Sequence, residues 1–136
     1  MKQLTVTAML FLAAASAGAQ DREDSAWRRF GLTDKAEFSW RRGSFNVSQT
    51  KAGKTVASLI VQSKYKPTNT IEYHKWYVSA EDCLAGIGKV VVLTLDGTYL
   101  YENDYVSEGD SVASIGGDFI CAVYKAVLTE KSEKGI

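Results

Sequence analysis

The chain has 136 residues, enough for one domain and too few for two. Its 16 basic and 16 acidic residues balance, so no basic excess drives binding to nucleic acid or an anionic membrane. One histidine leaves no His-based metal site to expect, and two cysteines allow a single intramolecular pairing.

The first twenty residues, MKQLTVTAMLFLAAASAGAQ, have the layout of a secretory leader. Lys2 is followed by an apolar run, Val6 to Ala15, and then by small residues ending AGA. Cleavage is expected after Ala19, which makes 1–19 the leader and 20–136 the mature domain. The apolar run is too short for a bilayer span, and no cysteine follows the leader to carry a lipid. The alternative, a buried N-terminal helix, would be apolar on every face and would run straight into DREDS. Export places Cys83 and Cys121 in an oxidising compartment, where a structural disulfide is the expected state. With no CxxC, the chain lacks the usual redox pattern.

AWRRFGL and AEFSWRR each hold two large aromatics, with the turn-like TDK between them. They read as a first hairpin, with a short helix over Trp27–Leu32 as the alternative. The pairs Arg28–Arg29 and Arg41–Arg42 are solvated strand edges, or else part of a local patch for an acidic partner. NVS at Asn46 fits a glycosylation acceptor, a pattern short enough to arise by chance. KTVASLIVQSKY, Lys54 to Tyr65, is rich in β-branched and apolar residues and reads as a buried strand. Pro67, in SKYKPTNT, marks a connection. TIEYHKWYVSAEDC, Thr70 to Cys83, is a second long strand candidate. It carries His74 between aromatic neighbours, as a packed or surface imidazole rather than a base.

GIGK, Gly86 to Lys89, lacks the spacing of a phosphate loop and precedes a strand, so it reads as a turn. KVVVLTL and TYLYENDY flank Asp96–Gly97, a hairpin signal in which Gly97 supplies the positive φ of a primed turn. Glu102, Asp104, Glu108 and Asp110 cluster without calcium-loop spacing. Asp110 or Ser111 then caps a C-terminal helix with Val112, Ile115, Phe119, Val123 and Ala126 on one apolar face. Cys121 falls opposite that face on an unbroken helix, so a break or bend at Gly116–Gly117 is expected. A strand over Phe119–Tyr124 is the alternative.

Three Trp, seven Tyr and five Phe are many for so short a chain. Tyr and Trp supply contact area at low entropic cost, so Tyr73, Tyr77, Tyr99 and Tyr101 are the candidate binding surface. The alternative is ordinary cross-strand packing.

EDC at Glu81–Cys83, LDGTYLY at Leu95–Tyr101 and EGDSVAS at Glu108–Ser114, followed by Cys121, together resemble the surface-adhesin protein E family of Gram-negative bacteria. The resemblance runs from about Trp27 to Cys121. It implies a six-stranded antiparallel sheet, a C-terminal helix tied to it by Cys83–Cys121, a homodimer as one form, and binding of host matrix or serum proteins.

The expected fold is α+β: one antiparallel sheet of about six strands, with a C-terminal helix packed on one face and tethered by one disulfide. The expected function is that of a non-catalytic, exported protein-binding module using an aromatic-rich sheet face or edge. The alternatives are a periplasmic accessory or inhibitor domain acting on an envelope protein or toxin, and an enzyme or small-ligand carrier built around His74. A protein partner is expected, with no cofactor, metal or nucleic acid and no membrane span. The location is the periplasm, the cell surface or the medium.

Overall fold

A computed structural model describes residues 26–134; the leader expected over residues 1–19 lies outside them. The chain order is β1 (Trp27–Leu32), β2 (Ala36–Arg41), β3 (Asn46–Gln49), β4 (Thr55–Tyr65), β5 (Thr70–Ser79), α1 (Ala80–Ala85), β6 (Ile87–Leu93), β7 (Tyr99–Val106) and α2 (Val112–Lys134). All strand pairs are antiparallel, in the order β1-β2-β4-β5-β6-β7, with β3 added beside β4. The fold is therefore α+β, a seven-stranded sheet under a C-terminal helix. Both N-terminal segments are strands, and Phe119–Tyr124 is helical.

Side chains alternate across a strand, and the long pair β4–β5 sets the two faces. Leu59 stands opposite Trp76 and Val61 opposite His74 on the helix side. Val92 continues that row across Trp76. Leu59, Val61, Trp76, Val78, Val90 and Val92 form the sheet's part of the core, and Ile120, Cys121 and Tyr124 form the helix's part.

The N-terminus of α2 is capped as its sequence suggests: Ser111 Oγ accepts from Ser114 N–H at 3.0 Å. The helix then runs unbroken through Gly116 and Gly117, against the break expected there. The glycines serve close approach. A Cβ on Gly116 would lie 2.8 Å from Trp76 Cζ3, and one on Gly117 would lie 2.5 Å from Tyr105 Cδ1. With the glycines against the sheet, the buried face is Ala113, Gly117, Ile120, Cys121 and Tyr124. That is about a third of a turn from the expected face. Ile115 is 38% exposed and Ala126 faces solvent, while Phe119 stacks on Trp40 at the flank, with ring centroids 4.6 Å apart. This rotation brings Cys121 inward.

Cys83 is bonded to Cys121, with Cα atoms 5.2 Å apart. It does not end a strand, as expected, but sits on the one-and-a-half-turn helix α1. Ser79 caps α1 by accepting from Asp82 N–H, and Gly86 closes it at φ 76°. The β6–β7 hairpin forms as expected, although Gly97 (φ 96°) closes a four-residue turn rather than sitting in a two-residue one. Its N–H donates to Thr94 C=O at 3.0 Å.

Asp118 fastens α2 to β7 from the side. Its carboxylate accepts from Tyr105 O–H and from Glu108 N–H, both at 2.8 Å. Burial, followed by the bond to and charge of Asp118, pushes the Tyr105 phenol up to about 12. The stretch Val112–Lys131 is long and apolar enough to cross a bilayer by composition alone. Here one side of it packs on the sheet.

Three outcomes follow from this packing. Gly117→Ala is expected to lower the urea midpoint: overpacking of ~1–3 kcal/mol against the buried Tyr105 ring exceeds the ~1 kcal/mol of helix propensity gained. Cys83→Ser with Cys121→Ser removes the tie across 38 residues. By chain entropy that costs roughly 4 kcal/mol, so the melting temperature should fall sharply under oxidising conditions, and an unchanged value would refute the tether. The folded Tyr105 value lies above the ordinary ~10 of tyrosine. Its contribution is thus complete below pH ~10 and lost as pH rises towards about 12. Tyr105→Phe should flatten that alkaline fall in urea unfolding curves.

Candidate functional site

The sheet has two faces and α2 covers one of them. The other is built from the opposite parity of the same strands. Ile60 stands across from Lys75, Gln62 from Tyr73, and Ser58 from Tyr77. Lys75 pairs onward with Leu93, and Leu93 with Tyr99. At the other end, Ser39 lies across from Gln62, and Trp27 from Arg41.

Three of the four expected tyrosines share this open face. Tyr73 is 45% exposed and Tyr99 57%, while Tyr77 is half-buried. Trp27 joins them, its ring centroid 5.6 Å from that of Tyr73 at a 42° tilt. The two rings reach across β2 and β4, leaving Ser39 and Gln62 buried although no helix covers them. Gln62 Nε2 donates to Tyr73 O–H at 3.3 Å, which fixes the phenol. Burial, then the charges of Glu102 and Tyr99, push the Tyr77 phenol above its ordinary range.

Tyr101 is separated from the other three. A register shift in the hairpin between Val92 and Leu93 places Tyr99 opposite Leu93 but Tyr101 opposite Val92. Tyr101 therefore points to the helix side, where burial and then the charges of Tyr65 and Glu72 raise its phenol. The shift could not be read from LDGTYLY, in which both tyrosines sit at alternate positions.

Basic side chains stand among the rings. Arg29 lies 4.0 Å from Glu37. Arg41 and Arg42 line a depression of about 260 Å³ with Gly43, Ser44 and Ile60. Lys75 is half-buried between Tyr73 and Tyr77 along β5. Strand parity alone would have put Tyr73, Lys75 and Tyr77 on one face; the parts of the patch missed from sequence are Trp27 and Lys75, while Arg41 belongs to one of the two arginine pairs read as a strand edge or a patch for an acidic partner. Towards β7 the charge changes sign, with Lys89 paired to Asp104 and Glu102 beside Tyr77. Apolar ring surface, phenol hydroxyls and uncrowded cations suit recognition of a protein surface.

The remaining sequence candidates fall elsewhere. His74 faces the helix side, with Nε2 3.9 Å from Glu72 Oε1 on the same strand, and its side chain is 15% exposed. GIGK is a turn only at Gly86, which closes α1, while Ile87–Lys89 already belong to β6; Lys89 N–H donates to Asp82 Oδ2 at 3.1 Å, and Gly88 lets that carboxylate approach. Asn46 is exposed on β3, a strand with no apolar alternation to announce it. Among the described residues, no three His, Cys, Asp or Glu side chains converge as metal ligands.

No protein family, curated protein or solved structure matches the chain. The buried disulfide points to an oxidising, exported environment.

Proposed function

We propose that the chain is a non-catalytic, exported protein-binding module of the surface-adhesin protein E kind. It engages its partner through the open sheet face. The observation that carries this reading is the row Trp27, Tyr73, Tyr77 and Tyr99 on the face that α2 leaves uncovered. A sheet face with rigid aromatics and a phenol held by Gln62 offers large contact area at small entropic cost. The order of features, from a strand-rich start through Cys83 and the Asp-Gly hairpin to a helix carrying Cys121, supports the adhesin-like reading. α2 belongs to the domain core rather than to a membrane, since Gly116 and Gly117 bring its backbone onto Trp76 and Tyr105 and its Ile120, Cys121 and Tyr124 side chains are buried in the same cluster.

The test uses the mature chain on a sensor surface, presented with host matrix and serum proteins and with Gram-negative periplasmic extract. Tyr73→Ser with Tyr77→Ser should weaken capture by about tenfold or more, the scale of an interface hot spot. Tyr101→Ser, on the other face, should leave it unchanged. Equal capture by wild type and the Tyr73/Tyr77 variant would refute the open-face reading. Capture from the extract alone would make the module an envelope accessory rather than an adhesin.

A further inference from the structure

The open face is unevenly charged, and its basic half lacks counter-charge. Arg29, Arg41, Lys64 and Lys75 stand on the part formed by β1, β2, β4 and β5. The one carboxylate on that part, Glu37, lies beside Arg29 and directly across from Lys64, which leaves Arg41 and Lys75 as the cations with no acidic neighbour on the face. Among the described residues, no carboxylate lies within ion-pair distance of Arg41, Lys64 or Lys75. Lys75 is the telling member. It sits mid-sheet, half-buried, with Ile60 across from it and a tyrosine two residues away on each side. A cation held part-way out of water, with its donors unpaired, gains most from an anion brought to it. The Arg41–Arg42 depression adjoins it through Ile60.

We infer that the partner docks an acidic segment on this half of the face, with carboxylates over Lys75 and the Arg41–Arg42 depression and apolar groups against Trp27 and Tyr73. This rests on the open-face reading above and names the chemistry of the partner. A protein segment fits better than a long polyanion. The basic patch is short, is interleaved with rings, and is bounded on the β7 side by Glu102 and Asp104. A nucleic acid or sulfated glycan needs a continuous basic track, and this acidic border interrupts one.

The probe is a fluorescein-labelled oligo-glutamate peptide containing tyrosine, titrated with the mature chain and read by anisotropy. Binding should be lost at ~0.5 M salt, where exposed charges are screened beyond a few ångströms. Lys75→Glu and Arg41→Glu should each weaken it by about tenfold or more. Lys75→Gln, which keeps the stem without the charge, should weaken it less. Lys125→Glu, on the exposed side of α2, should not alter it. Far-UV circular dichroism and melting temperature confirm that each variant is folded.

The inference is overturned if the peptide does not bind, if Lys75→Glu binds it as wild type does, or if heparin or single-stranded DNA binds while the peptide does not. A wild-type chain that self-associates in sedimentation and takes up peptide only in competition with itself would also overturn it, by making a second copy the occupant. Loss of the native partner on Tyr73→Ser with Tyr77→Ser, but not on Lys75→Glu or Arg41→Glu, would refute the acidic segment and leave the open-face reading standing.

Discussion

Everything in this domain depends on how closely α2 lies on the sheet at Gly116 and Gly117. The rings of Trp76 and Tyr105 occupy the space that two β-carbons would need. Glycine in a helix interior costs about 1 kcal/mol relative to alanine. Here the cost is offset by ring burial and by a dense set of ties over little more than one turn. Asp118 holds Tyr105 and Glu108, Ile120 is fully buried, and Cys121 is bonded to Cys83. These ties act in different physical ways: van der Waals contact, charge-assisted hydrogen bonding and a covalent limit on the unfolded chain. The helix keeps its seat on the sheet through all of them together.

One helix cannot cover a seven-stranded sheet on both faces. The strands answer with two different patterns. On the helix side, β4 and β5 present Leu59, Val61, Trp76 and Val78. On the other side the same strands present Ser58, Gln62, Tyr73, Lys75 and Tyr77, a mixture that water tolerates. Cross-strand contacts, rather than a second layer, must hold that face together. The long Trp27–Tyr73 contact and the bond from Gln62 to Tyr73 serve that purpose while leaving ring surface outside. The aromatic abundance of the chain is thus divided between a helix-facing cluster of Phe30, Phe38 and Trp76 and this open row.

This division explains which features the sequence disclosed. Strands β4 to β6 carry β-branched runs and β7 an aromatic one after the Asp96–Gly97 turn, and two cysteines leave one pairing, so both were legible. The face of α2 was not. Its apolar residues surround the helix, and the side that packs is marked by what is missing, two β-carbons, rather than by large side chains. Hydrophobic periodicity therefore pointed to Val112, Phe119 and Val123, which line the flank. Helix α1 was absorbed into the strand before it because Tyr77–Ser79 continue a β pattern up to the cap. Ser79 followed three residues later by Asp82 was the local signal for a new helix. On β7, alternation placed Tyr99 and Tyr101 together, and only the register shift sets them on opposite faces.

The open row and the free edge of β7 raise the question of how a second copy would meet that edge. Tyr99, Leu100, Tyr101 and Val106 are all exposed there, and an apolar edge strand invites pairing. The backbone at the end of β7 is already taken: Val106 N–H donates to Ser114 Oγ at 3.0 Å, so the strand stops against α2. The middle of the strand is guarded by charge. Glu102 and Asp104 lie two residues apart on one face, and an antiparallel copy centred on Asn103 would place each opposite the other's carboxylate. Lys89 neutralises only Asp104. Strand addition by an antiparallel copy at β7 thus meets a strand end already bonded to α2 and like charge at its centre.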